Sequence, residues 1–378
     1  MMGYNDSESS SSAGETGKSS CIKTVFQNVP VKDVPYFGVS QKVEKVNFDS
    51  IIPLQIWDTP PGFELDQLDV PLGSFSTIIY VMDIQQDDSY LDANRRFLRV
   101  MMRAHLANPI MKFVVFIHKA EVLSEAYRGE NYAEIQRGMQ EELEDFPYHT
   151  LQAYSPNTDF SNSAVCNNIS NQLQSEIRFD MTSVHDVSLR DAWSKVIQGI
   201  LGMLPEIEQL LIDFTGTSGM DNSFLFDLAS GVVLAADNRQ RNEMSLELVT
   251  EYLFSFLQFR DLYKGLKSQD DEVDTGEPAS SEDVGGQEDV AYGDEEDVAY
   301  GDEDAGGWWD DEDPEAPWMT QSTRLMPNTT IALWQFTPQS ALVVLLRTET
   351  WHARRGMIEY NLTFLRQGVR RILMEVEV

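Results

Sequence analysis

The chain has 378 residues, enough for two domains of ordinary size, and 42% of them are apolar, a normal globular content. Its formal net charge is −34, but 21 Asp and Glu with no Lys or Arg fall between Ser268 and Pro317, leaving about −13 for the rest. This balance disfavours a nucleic-acid partner. No uninterrupted apolar run of about 18 residues exists to insert in a membrane, and Cys21 and Cys166 form neither a disulfide framework nor a metal pattern, which fits a reducing compartment.

In chain order, residues 1–12 (MMGYNDSESSSS) read as a polar tail with no apolar segment of a secretory signal. Then come Gly14, Glu15, Thr16, Gly17, Lys18, Ser19 and Ser20, the back half of a G-x-x-x-x-G-K-[ST] phosphate loop, with Ser12 where its first glycine belongs. Lys18 and Ser19 open a predicted helix, KSSCIKTVFQN. A helix start offers N–H groups and a positive dipole end to phosphate. Lys18 would reach the β/γ-phosphates and Ser19 would ligate Mg²⁺. On these residues alone, a chance GKS in a plain loop is the competing reading.

The runs IIPLQIWD (51–58), STIIYVMDI (76–84), KFVVFIHK (112–119) and IRFDMTSV (177–184) are short, apolar and β-rich, the pattern of buried strands. Helical periodicity fills 87–107 and 132–146, and another helix follows at 189–204. The alternation predicts a mostly parallel α/β sheet. Three of the strand ends carry candidate chemistry. Asp58, in WDTPPGF, is placed to hold Mg²⁺ through water, and Gly62 to offer an N–H to a γ-phosphate. In HKAE, His118, Lys119 and Glu121 can read a purine: the carboxylate accepts from guanine N1–H and N2–H₂, and the lysine stem covers the base. In TSVHD (182–186), backbone N–H groups of Ser183 and Val184 can meet guanine O6.

Residues 205–378 change pattern. A helix, PEIEQLLIDF, precedes strands at 223–229 and 231–237 and a long helix at about 243–264. Strands at 322–326, 329–336 and 340–347 follow, then a helix from about Gly356. The order predicts an α+β sheet with helices on one side. Ile358, Leu362, Leu365, Val369, Ile372 and Val376 share one face of the last helix, either as core or as a dimer seam. The acidic stretch 268–317 holds a tandem, EDVAYGDE at 288–295 and again at 296–303, too polar to bury a core and read as disordered. Its sharper reading is a docking tail for a basic partner, anchored by Trp308, Trp309 and Trp318.

Taken together and in this order, these motifs resemble the Rag family of Ras-like GTPases, its C/D branch above all. HKAE carries the histidine typical of that branch, LQIWDTPPG is similar to the family's FQIWDFPGQ, and TSVHD to its TSIxD. SFLFDLASGVVLAAD (223–237) and RRGMIEYN (354–361) extend the likeness through the second half. The resemblance implies a Ras-like P-loop GTPase domain at 13–203 and a roadblock-like dimerisation domain at 204–378 interrupted by the acidic insert. It implies GTP or GDP with Mg²⁺, and it puts Ser40, in FGVSQKV, at the switch I position that ligates the metal beside Ser19. The implied partners are a Rag A/B-type GTPase, a scaffold complex on the vacuole or lysosome, the TOR kinase complex and a GTPase-activating protein. The implied location is cytoplasmic, with peripheral recruitment to that membrane and the nucleus as a second site.

Four departures shape the expected activity. The family's apolar first strand and its Arg-Arg-Ser-Gly-Lys-Ser loop have no counterpart, so the first strand is expected to be missing. Gly62 stands four rather than three residues after Asp58, Phe63 fills the slot of the water-orienting glutamine, and Glu121 replaces an aspartate. Slow hydrolysis follows, and the alternative is a non-hydrolysing scaffold subunit with a decayed nucleotide pocket.

Overall fold

The computed structural model describes residues 2–4, 16–38, 40–51, 53–239, 243–270, 320–325 and 328–376. Gly14, Glu15 and nearly all of the acidic insert lie outside these residues.

The strand-like runs of the first half assemble one six-stranded sheet: β1 (Met2–Tyr4), β2 (Glu44–Asp49), β3 (Pro53–Asp58), β4 (Thr77–Asp83), β5 (Lys112–His118) and β6 (Ile177–Thr182). The order is β2-β3-β1-β4-β5-β6, parallel except for β2, which pairs antiparallel with β3. Because side chains alternate across a strand, β5 sends Phe113, Val115 and Ile117 to one face and Val114 and Phe116 to the other. Helices α1 (Lys18–Phe26) and α5 (Ser188–Gln198) cover the second face. Helices α2 (Tyr90–Ala107), α3 (Glu125–Glu144) and α4 (Ser163–Glu176) cover the first.

The expectation of a missing first strand is corrected: Met2–Tyr4 stands between β3 and β4 and pairs with both, Gly3 opposite Asp58 and Ile79. A parallel sheet needs a backbone at its centre, and three residues supply that pairing without an apolar run. Met2–Tyr4, read as part of a tail, is therefore a strand. Strand β2 and helix α4 went unread: β2 alternates weakly around charged residues, and α4 buries little but Leu173.

The second half forms a five-stranded antiparallel sheet, order β8-β7-β11-β10-β9, from β7 (Asn222–Asp227), β8 (Val233–Ala236), β9 (Thr320–Leu325), β10 (Thr329–Thr337) and β11 (Ser340–Arg347). Helices α6 (Leu204–Ser218) and α8 (Thr348–Val376) pack on one face, burying Ile358, Leu362, Leu365 and Val369 of α8. Helix α7 (Glu243–Asp270) covers the other face through Val249, Leu253 and Leu257. Helices on one side only was the wrong expectation. Strand β11 is apolar at consecutive positions, Leu342 and Val344 facing α8 while Val343 and Leu345 face α7, so both faces require cover.

The two sheets meet at the turn before β8. Asn28 Nδ2 donates to Ala229 O at 2.6 Å, Arg190 Nε to Ser230 O at 3.3 Å and Gln198 Nε2 to Val233 O at 2.8 Å. The Arg190 guanidinium also lies 4.5 Å from the Phe254 ring centre of α7.

Candidate nucleotide site

The site lies at the C-terminal ends of the parallel strands, where α1 begins. That is the edge at which open α/β sheets bind ligands. Gly17 caps α1 with φ +87°, a backbone state that favours glycine. It supplies no side chain, so the first N–H groups of the helix have no side-chain cap. The bare backbone is also needed sterically: a Cβ at Gly17 would lie 2.4 Å from His118 Cδ2 and 2.8 Å from its Nε2. The phosphate-loop remnant and HKAE, about a hundred residues apart, thus meet in van der Waals contact.

Three oxygen-bearing side chains converge beyond Gly17. Ser19 Oγ donates to Asp58 Oδ2 at 2.5 Å, Ser40 Oγ to the same oxygen at 3.3 Å, and the two hydroxyls lie 3.0 Å apart. Asp58 Oδ1 is buried and accepts no hydrogen bond, with Lys18 Nζ 3.7 Å away. Lys18 Nζ donates instead to the carbonyl of Thr59. Burial lowers the Lys18 pKa, and the Asp58 carboxylate opposes that shift. Two hydroxyls, a carboxylate with an unsatisfied oxygen and a buried ammonium are the donor set of a hard divalent cation beside a polyanion. These residues fit Mg²⁺ and a polyphosphate.

The base-reading candidates lie on the neighbouring strand ends. His118 is 2% exposed, and burial pushes its pKa down to about 4 against the carboxylate of Glu121, so it is neutral near pH 7. Its Nδ1 lies 3.0 Å from Thr182 Oγ1 and 3.5 Å from Cys21 Sγ, a thiol that burial pushes upward. Lys119 takes a left-handed φ of +63°, and its Nζ donates to Asp83 Oδ2 at 2.7 Å. Glu121 sits at the exposed rim, its Oε1 3.8 Å from His185 Nε2. The Ser183 N–H is taken within the chain by Ser188 Oγ at 2.9 Å, and the His185 N–H by Ser183 Oγ at 3.0 Å. The N–H of Val184 lies between these two bonded groups.

Thr16 opens the described part of the loop, and Ser20 is buried in the first turn of α1. Gly62 has φ +70° and is exposed. Phe63, expected in the slot of the water-orienting glutamine, is 6% exposed and packs into the core with Trp57 and Phe75. Two site residues escaped the sequence reading. The Thr59 carbonyl left no side-chain signature, whereas Asp83 did, as a carboxylate ending the STIIYVMDI strand.

A sequence profile of the Gtr1/RagA G protein conserved region matches residues 12–253. The human Ras-related GTP-binding protein C is 27% identical over 366 residues, 94% of this chain and 74% of that protein. The GTP-binding protein gtr2 of Schizosaccharomyces pombe is 28% identical, over 67% of this chain and 74% of its own. Gtr1 of the same organism is 22% identical, over 60% of this chain and 67% of its own.

Proposed function

Since the chain belongs to the Gtr1/RagA G protein family, with relatives in its Rag C/D and Gtr2 branch, we propose that it is the guanine-nucleotide-binding subunit of a regulatory heterodimer. Its partner is a Rag A/B-type GTPase, met through the second half of the chain, which we read as roadblock-like. The α-β-β-α-β-β-β-α order and the sheet of Asn222–Arg347 support that reading. The dimer reports amino-acid sufficiency to the TOR kinase complex through a scaffold on the vacuole or lysosome surface. No helix among the described residues is long and apolar enough to cross a membrane.

The convergence of the Ser19 and Ser40 hydroxyls on Asp58 Oδ2, beside a buried Oδ1 that accepts no hydrogen bond, carries the nucleotide assignment. Lys18 and the start of α1 would hold phosphate, and Ser19, Ser40 and Asp58, the last through water, would hold Mg²⁺. Bound Mg²⁺ would neutralise phosphate charge. His118, Lys119, Glu121 and the N–H of Val184 would border the base. Ser40 lies between α1 and β2, so γ-phosphate contact there can order the loop that bears it.

Burial of Phe63 favours a second reading, a scaffold subunit that binds nucleotide weakly and does not hydrolyse it. With no glutamine to orient water, hydrolysis would depend on a GTPase-activating partner. Co-expression with a Rag A/B-type chain followed by analysis of the released nucleotide separates the readings. One guanine nucleotide per chain, lost from this chain in Lys18→Ala, supports the switch. Nucleotide from the partner alone, unchanged by Lys18→Ala, supports the scaffold.

A further inference from the structure

In a chain of net charge −34 with only 28 Lys and Arg, helix α2 concentrates Arg95, Arg96, Arg99 and Arg103 within nine positions. All four line a groove of about 580 Å³ between α2 and the segment 146–154. Leu65, Phe146 and Leu151 give it an apolar floor, and Tyr154 lies under the Arg103 guanidinium at 4.3 Å. Arg95 is steered by Glu142 at 2.8 Å and Arg103 by Asp66 at 2.5 Å, while Arg99 is exposed. Glu64 and Glu142 also line it, and Asp66 and Asp92 lie against Arg103 and Arg95 at its margin. None of the nucleotide-site candidates lines this groove.

We infer that this groove is occupied by the chain's own acidic repeats, residues 288–303. The repeats place eight carboxylates and two tyrosines, Tyr292 and Tyr300, within sixteen residues. Carboxylates match the guanidinium fork, and a tyrosine ring fits both the apolar floor and the guanidinium faces. The connectors 271–287 and 304–319 have 17 and 16 residues. At ~3.3 Å per residue each spans up to about 55 Å, against a radius of gyration of roughly 16 Å for a unit of ~200 residues. Such a tether holds the repeats at an effective concentration on the order of millimolar.

The test places a photoreactive benzoylphenylalanine at position 292 of the full chain and maps its cross-links by mass spectrometry. The expected adducts are intramolecular, on Tyr90–Ala107 or residues 146–154. Their yield should fall about tenfold in Arg96→Glu combined with Arg99→Glu. In the unmutated chain it should also fall at about 1 M salt, where the Debye length is roughly 3 Å. Adducts elsewhere, adducts joining two copies, or a yield insensitive to both charge reversal and salt would overturn the assignment. The salt arm needs no variant, so it remains decisive should the arginine variant fail to fold.

Discussion

Gly17→Ala probes the contact on which the site is built. A residue with a Cβ at φ +87° meets left-handed strain of about 1–2 kcal/mol. The new methyl also lands 2.4 Å from His118 Cδ2, on a ring that is 2% exposed and held through Nδ1 by Thr182 at 3.0 Å. With little room to retreat, overpacking adds about 1–3 kcal/mol. The variant should therefore lose about 2–5 kcal/mol in urea denaturation, a large share of the roughly 5–15 kcal/mol typical of a folded protein. The two terms separate in a double-mutant cycle. His118→Ala removes the clash and leaves the backbone strain, so Gly17→Ala should cost about 1–3 kcal/mol less in that background. A coupling within about 0.5 kcal/mol of zero would refute the packing of Gly17 against His118.

Three further outcomes follow from the same geometry. The folded-state pKa of His118 lies below its unfolded value, 6.5 against about 4. Its stabilisation is therefore full above about pH 6.5 and declines towards pH 4, by about 3 kcal/mol. His118→Asn should flatten that slope in urea midpoints taken between about pH 5 and 7.5, and an unchanged slope would place the titration elsewhere. Phe63→Gln should cost about 2–4 kcal/mol, because it empties core volume and buries an amide. It should leave GTP hydrolysis no faster in a single-turnover assay, and a rise would show that position 63 faces the nucleotide. Arg190→Ala removes the bond to Ser230 O and the stacking on Phe254, a loss of about 1–2 kcal/mol. Calorimetry should then show the two sheets unfolding in more separated transitions.

Much of this was legible in the residues because parallel sheets use continuous apolar runs and put their chemistry at strand ends. The strands ending at Asp58, His118 and Thr182 were readable for that reason, as was the helix opened by Lys18 and Ser19. Strand β1 was not, since Met2–Tyr4 is defined by the pairing of β3 and β4 on either side rather than by its own propensity. The cover on both faces of the second sheet was latent in SALVVLLR, whose unbroken run leaves no polar face. Glu121 was read as a base contact, and its neighbour His185 at the rim became visible only in three dimensions. The bond that withdraws the Ser183 N–H into Ser188 Oγ depends on a local turn that strand-end motifs do not encode.

Guanine-nucleotide binding that depends on Mg²⁺ tests the central claim most directly. Fluorescent GDP should bind the full chain and be released faster when EDTA removes the metal. Affinity should fall at least about tenfold in Lys18→Ala, equivalent to about 1.4 kcal/mol, and the EDTA effect should vanish in Asp58→Ala. No binding by the unmutated chain, or binding indifferent to EDTA and to both substitutions, would contradict a nucleotide site built on Lys18, Ser19, Ser40 and Asp58.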